Sequence, residues 1–368
     1  MRNSYRMAAL ALTLAAVGCT PDKIPTDLAP PNNETGSEFS LWRAPRNGLR
    51  VMFQNMYVGA NVDAIIGALA SPDPNDDLAT LAAQIGVLQE TDFPTRAAKI
   101  ADEIAKHRPH VVGLAEVSTI DVDLTGLGVS VVYHMDFLTV LKQALARRHL
   151  RYRVAGQVRN FEAAPLPGIS LIDQDVVLVD ADRVKARPDV IARTFRTNLG
   201  SVVPGVSLAR GFVSVPVWVD GEQYRVTSTH LESDLGGNNL GLLRAAQVQE
   251  LVGAIGDARH AVIMGDLNDF AGTPMYQVLL GAGYSDAWAS LRSGQDGFTC
   301  CHADNLTNAR VPDQRIDYVF ARGFDRHDDT IDGFIRRIGL LPGDMVPGPI
   351  HPIWASDHAG LVAWLDPK

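Results

Sequence analysis

Short apolar runs alternate with longer segments of helical periodicity from about residue 48 onward. Apolar residues in short unbroken runs or at every second position indicate β-strands, whereas apolar spacings of three and four residues indicate amphipathic helices. On this basis the sequence predicts strands at residues 49–53, 110–115, 152–158, 174–179, 208–219, 223–229, 261–264, 316–321 and 360–364. It predicts helices at residues 77–89, 95–107, 136–148, 240–255 and 274–280.

The order of these elements is irregular, because hairpins are mixed with single helices. The even strand–helix–strand spacing of a doubly wound parallel sheet is missing. Loops rich in proline, glycine and aspartate occur at residues 71–76 and 340–352, but no linker divides residues 48–368. An α/β fold with two stacked sheets covered by helices, in one domain at residues 48–368, is therefore favoured.

The N-terminal segment has the pattern of an export signal. Arg2 and Arg6 precede an apolar stretch at residues 7–17. That stretch is too short to span a bilayer, which needs roughly 20 apolar residues. We therefore expect a signal peptide at residues 1–18 and an exported protein.

Residues 16–19 resemble the bacterial lipobox, although Ala16 replaces the branched aliphatic residue that is usual there. The resemblance implies that Cys19 is lipidated and anchors the protein to a membrane, with ordinary signal cleavage nearby as the alternative. Residues 20–47 then form a disordered tether. Because Thr20 rather than Asp follows Cys19, the resemblance implies delivery to the outer membrane if the cell has one. We therefore expect a cell-envelope location, as an outer-membrane lipoprotein or in the periplasm or at the cell surface.

The overall charge is acidic, with a formal net charge of -9 and a pI of about 5.5. This balance argues against a broad nucleic-acid-binding face. One basic stretch at residues 146–153, with Arg159 beyond it, could follow a phosphate backbone. Cations at a helix C-terminus, followed by a half-exposed strand, explain it more simply.

Cys300 and Cys301 are adjacent. In an exported protein such a pair can form a strained vicinal disulfide, pair with another chain or stay reduced. No other residue at zinc-site spacing accompanies them, so a structural role in a loop is favoured over metal binding.

Polar side chains follow several of the predicted strands at the point where each strand ends. They are Asn55, Glu116, His230, Asp266, Asn268, Asp317, Asp357 and His358. Metal-assisted attack on a phosphoester needs a hard cation, an oriented water and stabilisation of the leaving oxygen. Carboxylates, amides and imidazoles at strand ends can supply all three.

Glu116 is a candidate Mg²⁺ ligand, because Mg²⁺ binds through one or two carboxylates. Asp266 and Asn268 are two residues apart, so in extended backbone both side chains project to the same side. Asp266 could orient or deprotonate water while Asn268 donates to a phosphoryl oxygen. Asn55 could orient Asp266 or a metal-bound water. Capping, Asx turns and ordinary turns are the structural alternatives at these positions.

Asp317 and His358 are predicted to pair, because a carboxylate gives an imidazole a fixed tautomer and higher basicity. His230 would be a second imidazole that faces phosphate. Arg244 and Gln247, three apart on one helical face, could support His230 or bind substrate. A surface salt bridge or an ordinary solvated residue would explain each of these positions separately.

Taken together, these motifs resemble the endonuclease/exonuclease/phosphatase superfamily, which includes DNase I-like nucleases. The resemblance covers about residues 48–366. Its carriers are Phe-Gln-Asn at 53–55, Val-Gly-Leu-Ala-Glu at 112–116, Ser-Thr-His-Leu at 228–231, Gly-Asp-Leu-Asn at 265–268, Arg-Ile-Asp-Tyr at 315–318 and Ser-Asp-His at 356–358.

The resemblance implies a four-layer α/β sandwich, in which two mixed sheets pack face to face with helices outside. It implies that Glu116 binds Mg²⁺ or Mn²⁺ with help from Asn55 and Asp357. The active site would lie at one edge of the stacked sheets.

The resemblance also implies catalytic roles. Asp266 and Asn268 would position the nucleophilic water and the phosphate, and Asp317 would hold His358 beside the phosphorus. His230 matches the family's phosphate-contacting position.

The sequence departs from the family's usual pattern in two places. Ala115 stands where Gln commonly precedes the Glu, and residues 57–94 form an enlarged segment, predicted to be a helical insertion near the mouth of the active site. Substrate choice therefore cannot be copied from any branch of the family.

The leading hypothesis is a monomeric, Mg²⁺- or Mn²⁺-dependent phosphoesterase. Its substrate would be a nucleic acid, a phospholipid head group or another small phosphoester. The alternative is a non-catalytic surface lipoprotein that uses the same fold to bind a partner. A zinc hydrolase ranks last, because His-x-His and His-Glu-x-x-His spacings are absent from the sequence.

Overall fold

The computed structural model describes residues 48–128, 130–235, 237–324 and 331–367. The predicted signal peptide, Cys19 and the tether lie outside the described residues, so export and lipidation stay predictions. Within the described residues, no helix has the length and apolar character needed to cross a membrane.

The strands, in chain order, are β1 (Leu49–Asn55), β2 (Val111–Ala115), β3 (Thr119–Asp123), β4 (Val132–Asp136), β5 (Tyr152–Ala163), β6 (Ile169–Asp180), β7 (Lys185–Ala186), β8 (Ile191–Thr194), β9 (Gly200–Val203), β10 (Val206–Leu208), β11 (Gly211–Val219), β12 (Glu222–His230), β13 (Ala261–Asp266), β14 (Ser285–Asp286), β15 (Asp317–Arg322), β16 (Gly333–Ile338), β17 (Val346–Pro347), β18 (Pro352–Ile353) and β19 (Gly360–Leu365). The helices are α1 (Val62–Ala70), α2 (Pro74–Glu90), α3 (Phe93–His107), α4 (Phe137–Arg147), α5 (Gly241–Ile255), α6 (Pro274–Gly281) and α7 (Ala287–Leu291).

The strands form two large mixed sheets. In the part of the chain that the structure describes, the larger sheet has the order β16-β19-β1-β2-β6-β5-β10-β9, and the β3-β4 hairpin joins it through β6. The smaller sheet has the order β14-β15-β13-β12-β11-β7, and β8 also pairs with β11. Each sheet contains one central parallel pair, β1 with β2 and β12 with β13. The remaining pairings of these central strands are antiparallel.

Alternate residues of the central strands face opposite layers, as the period of two in a strand requires. In β1, Val51 and Phe53 pack in one buried cluster with Val213 and Val262 of the smaller sheet. Met52, between them, packs instead in the cluster that contains the apolar residues of α3 and α4. The two sheets therefore pack face to face.

The outer face of the smaller sheet is covered in the same way. Ile263 of β13 and Phe320 of β15 pack with Leu251 of α5 and Leu279 of α6. The layers thus run helix, sheet, sheet, helix. The predicted four-layer α/β sandwich is confirmed.

The helices begin and end where local sequence dictates. Pro94 occupies the first turn of α3, where its missing N–H costs nothing. Asp136 caps α4, since its side chain accepts a hydrogen bond from the N–H of Thr139 at 2.9 Å.

The sequence pattern missed α1, the β3-β4 hairpin, the short strands β7 to β10, and β16. Several of these are only two to five residues long, and their periodicity is too brief to separate from a loop.

Candidate active site

Strand register places three of the candidate side chains next to one another. His230 is paired with Asp266 in the parallel β12-β13 ladder, and Asp266 is paired with Asp317 in the antiparallel β13-β15 ladder. In the larger sheet, Asn55 is paired with Ala115. The candidate residues therefore lie at the same edge of both sheets.

Asn55 connects the two sheets at this edge. Its Nδ2 donates to Oε1 of Glu116 at 2.9 Å and to Oδ2 of Asp266 at 3.1 Å. Its Oδ1 accepts from the backbone N–H of Tyr57 at 2.9 Å. Through its Nδ2 hydrogen bonds Asn55 orients the two carboxylates. An amide oxygen has two lone pairs, so the role of Asn55 in binding the metal stays a prediction.

Glu116 adopts a left-handed backbone conformation, with a φ of 55°. Non-glycine residues enter this region at an energetic cost and do so most often at functional sites. Its Oε2 accepts from the N–H of Val58 at 2.8 Å. The strained turn after β2 therefore fixes the Glu116 carboxylate.

Asp317 and His358 are in contact. Oδ2 of Asp317 lies 2.8 Å from Nδ1 of His358, both side chains are buried, and Nε2 of the ring lies 3.8 Å from Oδ2 of Asp266. The loop before His358 is held by Ser356, whose hydroxyl donates to the carbonyl of Asn55 at 2.7 Å. Asp317 thus fixes the ring so that Nε2 faces Asp266.

His230 is held by Arg210, a residue that the sequence analysis did not single out. An N–H of Arg210 lies 3.1 Å from Nδ1 of His230. Nε2 of the same ring lies 3.6 Å from Oδ2 of Asp266. Burial and the Arg210 charge lower the pKa of His230 well below 6.5. His230 is therefore a neutral imidazole in the wall of the cavity.

Asn268 lies beside this donor. Its Nδ2 is 3.1 Å from Nε2 of His230 and donates to the carbonyl of Leu231 at 3.0 Å. The backbone N–H of Asn268 donates to Oδ1 of Asp266 at 3.1 Å. Asn268 has a φ of 51°, which Asn tolerates better than most residues. The side chain of His230 and the backbone N–H of Asn268 thus adjoin the Asp266 carboxylate.

Three acidic and basic groups here have strongly perturbed pKa values. Burial and the charge of Asp317 raise the pKa of Asp266 from 3.8 to about 7, with His358 acting in the opposite direction. Burial raises the pKa of Asp357 to about 7, opposed by His358 and reinforced by Glu116. Burial lowers the pKa of His358, but the surrounding carboxylates, led by Asp317, outweigh it and raise that pKa well above 6.5.

These side chains line one cavity of about 390 Å³. Its wall includes Glu116, Asp266 and Asp357 together with His230 and His358. The carboxylates of residues 116, 266 and 357 therefore meet in one place, although 241 positions separate the first from the last. The first turn of α1, from the predicted insertion, also lines this cavity.

The donor set fits a hard divalent cation. Glu116 and Asp357 offer carboxylate oxygens, which Mg²⁺ and Mn²⁺ prefer. The raised pKa values of Asp266 and Asp357 result partly from repulsion among carboxylates, Asp317 acting on the first and Glu116 on the second, and a bound cation would relieve this repulsion.

Arg244 and Gln247 lie apart from the residues that line the cavity. Arg244 is 2% exposed and donates to Oδ2 of Asp269 at 3.1 Å and to Oδ1 of Asp234 at 2.7 Å. Gln247 accepts from the backbone N–H of Glu232 at 3.1 Å. The prediction that Arg244 binds substrate is therefore corrected: both side chains brace the loop after β12.

The basic stretch is largely occupied by ion pairs. Arg148 pairs with Asp102 at 2.6 Å, and Arg151 pairs with Asp182 at 2.7 Å. Arg159 similarly pairs with a neighbouring carboxylate on its own strand. These pairs favour the simpler interpretation over a path for a nucleic-acid backbone.

Arg96 is a second positioning residue that the sequence analysis missed. It is fully buried on the apolar face of α3. Its guanidinium donates to the carbonyls of Met56 at 2.6 Å, Tyr57 at 3.1 Å and Ala355 at 3.2 Å. It thereby ties the loop after Asn55 to the loop before His358. The sequence feature that could have identified Arg96 is an arginine at a position where the helical pattern expects an apolar residue.

Comparisons with known proteins agree with this fold and arrangement. The family model described as the Endonuclease/Exonuclease/phosphatase family matches residues 60–358, more than half of the chain. The chain therefore belongs to the endonuclease/exonuclease/phosphatase family. A comparison with curated protein sequences found no match.

Solved structures share the fold at low sequence identity. A structure described as the endonuclease/exonuclease/phosphatase from Beutenbergia cavernae is 21% identical with a TM-score of 0.56, covering 88% of this chain and 72% of that one. D. rerio TDP2 complexed with single strand DNA product is 18% identical with a TM-score of 0.51, covering 87% and 99%. The corresponding protein from Bacteroides vulgatus is 15% identical with a TM-score of 0.52, covering 88% and 100%.

Proposed function

We propose that this protein hydrolyses phosphoester bonds with the aid of Mg²⁺ or Mn²⁺. The observation that carries the proposal is the convergence of Asp266, His230 and His358 on a cavity that Glu116 and Asp357 also line. Family membership supports the same reaction class.

Glu116 and Asp357 are the residues that would hold the cation, with Asn55 orienting Glu116 through the hydrogen bond to Oε1. The cation supplies neutralisation of the phosphate oxygens and so lowers the barrier to attack by water. Oxygen ligands favour Mg²⁺ or Mn²⁺ over softer metals at this position.

Asp266 is the proposed general base. Its pKa of about 7 allows it to take a proton from water near neutral pH. The water oxygen then bonds to phosphorus while the ester P–O bond breaks. Asn55 and Asn268 hold the Asp266 carboxylate through Nδ2 and the backbone N–H respectively, which fixes its direction.

His358 and His230 would act on the charge that develops at phosphorus. His358 is cationic because Asp317 raises its pKa, so it stabilises negative charge and can return a proton to the leaving oxygen. His230 contributes a neutral imidazole beside the amide of Asn268.

The charge of the cavity favours a compact phosphoester over a long polyanion. The carboxylates that line it are Asp63, Glu116, Asp173, Asp266, Asp304 and Asp357. The arginines that line it are Arg210 and Arg310. Above about pH 7, where Asp173, Asp266 and Asp357 are ionised, this acidic excess repels additional phosphates along a nucleic-acid strand.

The place of action is also part of the proposal. The export pattern and Cys19 support a membrane anchor at the cell envelope. Tethering would hold the active site close to phospholipid head groups and to phosphoesters that enter the envelope.

The test uses the purified full-length protein in detergent. Bis(p-nitrophenyl) phosphate, DNA, RNA, nucleotides, phosphoinositides and sphingomyelin are assayed with Mg²⁺, with Mn²⁺ and with EDTA. Asp266→Asn keeps the size of the side chain and should reduce turnover at least about 100-fold, the scale of general-base catalysis. Asp182→Asn, at an exposed ion pair, is the matched control and should retain activity.

Equal background turnover by the wild type and Asp266→Asn across the whole panel would refute the proposal. Calorimetric titration with Mg²⁺ and Mn²⁺ then decides what replaces it. If no cation binds either, the protein is a non-catalytic binding protein with this fold.

A further inference from the structure

The adjacent cysteines lie in the wall of the active-site cavity, beside His358. Cys300 and Cys301 are joined by a disulfide. Sγ of Cys301 is 3.9 Å from Nε2 of His358, and the two sulfurs and one ring nitrogen all lie within 4.8 Å of one another. Beyond the adjacent His302, the sequence offered no ligand at zinc-site spacing near these cysteines. The fold supplies one from 57 positions further along the chain.

Backbone hydrogen bonds hold the cysteine segment against the loop that carries His358. The N–H of Ala359 donates to the carbonyl of Thr299 at 2.7 Å, and the N–H of His302 donates to the carbonyl of Asp357 at 2.8 Å. These bonds bracket the cysteines on both sides. Because they involve only the backbone, they do not depend on the disulfide, and reduction would leave both thiols beside the imidazole.

Two thiolates and an imidazole form a ligand set for a soft divalent cation such as Zn²⁺. With Zn–S near about 2.3 Å and Zn–N near about 2.0 Å, a tetrahedral site needs a sulfur and a nitrogen about 3.5 Å apart. The 3.9 Å between Cys301 and His358 needs only a small adjustment. Asp317 holds Nδ1 at 2.8 Å, which is the carboxylate–histidine arrangement that supports metal-ligating imidazoles.

We propose that reduction of the Cys300–Cys301 disulfide creates a site for one thiophilic divalent cation, bound by both thiolates and Nε2 of His358. The disulfide accepts two electrons and two protons from an external dithiol, which is itself oxidised to a disulfide. Binding of the cation then releases the two thiol protons and the Nε2 proton of the cationic His358.

Occupancy of this site would inhibit the enzyme. The cation takes the ring nitrogen that faces Asp266, so His358 can no longer act on a phosphoester. In the disulfide form the sulfurs cannot act as thiolate ligands and Nε2 stays free. Metal binding itself does not depend on the proposed function, whereas inhibition rests on it.

The experiment uses the full-length chain carrying Cys19→Ser, so that the vicinal pair supplies the only thiols. Samples are compared in the disulfide form and after reduction with a phosphine that is then removed, in the presence of saturating Mg²⁺. Reduced protein should bind one Zn²⁺ at least about 100-fold more tightly than oxidised protein. Co²⁺ should give a thiolate-to-cobalt absorption band in the reduced form only, and Zn²⁺ should inhibit only that form.

Three variants test the ligand assignment, with circular dichroism to establish that each is folded. Cys301→Ser should weaken Zn²⁺ binding at least about tenfold and reduce the cobalt band. His358→Ala should weaken Zn²⁺ binding but keep the band. Asp182→Asn, at an exposed ion pair, should leave Zn²⁺ binding unchanged.

Equal Zn²⁺ affinity of the oxidised and reduced forms, no cobalt band, or no effect of His358→Ala would overturn the proposed site. A different result would refute the proposed hydrolase activity. If no form of the protein cleaves any phosphoester while Zn²⁺ still binds as expected, the soft-metal site stands and the hydrolase does not.

Discussion

Replacing the Asp266 carboxylate with an uncharged amide should stabilise the metal-free protein at alkaline pH. Asp266 is 2% exposed and lies beside Asp317, and burial together with this charge raises its pKa from 3.8 to about 7. Asp266→Asn removes the ionisation while keeping the size of the side chain. The site residue thus carries a stability cost that the substitution relieves.

The magnitude follows from linkage between protonation and folding. Between about pH 4 and pH 7 the folded protein holds the proton on Asp266 and the unfolded chain has lost it, so stability falls as pH rises. A shift of about three pKa units at about 1.36 kcal/mol each gives an upper limit of about 4 kcal/mol. The advantage of Asp266→Asn should therefore grow from near zero at pH 4 to at most about 4 kcal/mol at pH 8.

Thermal unfolding in EDTA at pH 4, 6 and 8 measures this difference. At about 2 °C per kcal/mol for a chain of this size, Asp266→Asn should unfold about 8 °C above the wild type at pH 8. Added Mg²⁺ should narrow the gap, because it stabilises the wild-type carboxylates. Asp182→Asn, at an exposed ion pair, should follow the wild type at every pH.

A melting-temperature difference between Asp266→Asn and the wild type that is the same at pH 4 and pH 8 would refute this reasoning. So would destabilisation by Asp266→Asn at pH 8 in EDTA. Either result would mean that repulsion and burial at Asp266 cost the folded protein little.

Further predictions concern the groups around the two imidazoles and the loop after β12. Asp317→Asn should move the alkaline limb of the pH–rate profile to lower pH and reduce kcat about 100-fold, because His358 loses the carboxylate that raises its pKa. An unchanged pH–rate profile would argue against the pairing of Asp317 with His358. Arg210→Met should lower kcat/KM about 10- to 100-fold in steady-state kinetics, because His230 loses the donor at Nδ1. Arg210→Lys should recover part of the lost kcat/KM, since lysine again offers a donor to Nδ1. Arg244→Ala should lower the free energy of unfolding by about 3 to 5 kcal/mol in denaturant titrations, because it leaves the buried Asp269 carboxylate without its ion pair. KM should stay unchanged, and a raised KM would instead place Arg244 at the substrate.

Local periodicity was enough to find the long elements and the polar residues that end them. Strand β13 was predicted at residues 261–264 and runs from Ala261 to Asp266, so its last residue is the candidate base. The helix predicted at 240–255 is α5, Gly241–Ile255. These assignments depend on side chains within one turn or one strand, which the sequence displays directly.

The hydrogen-bond partners of the polar side chains were harder to predict from the sequence. Arg244 has the same sequence context as a solvated helical residue, yet its guanidinium is buried against Asp269 and Asp234. Asn55 was predicted to help bind the metal, and the structure adds that its Nδ2 orients Glu116 and Asp266 while its Oδ1 accepts from Tyr57. Which atom of a polar side chain faces a site depends on neighbours that are remote in the chain.

The sequence by itself determined the family motifs, the layer composition and the candidate carboxylates and imidazoles, because each is encoded in a short run of residues. Only the tertiary structure decided that His230, Asp266 and Asp317 stand side by side, that Arg210 contacts Nδ1 of His230, and that the cysteine pair adjoins His358. Register between strands and the packing of one sheet on the other fix these contacts. Both are set by the summed burial of many apolar side chains, which no single motif records.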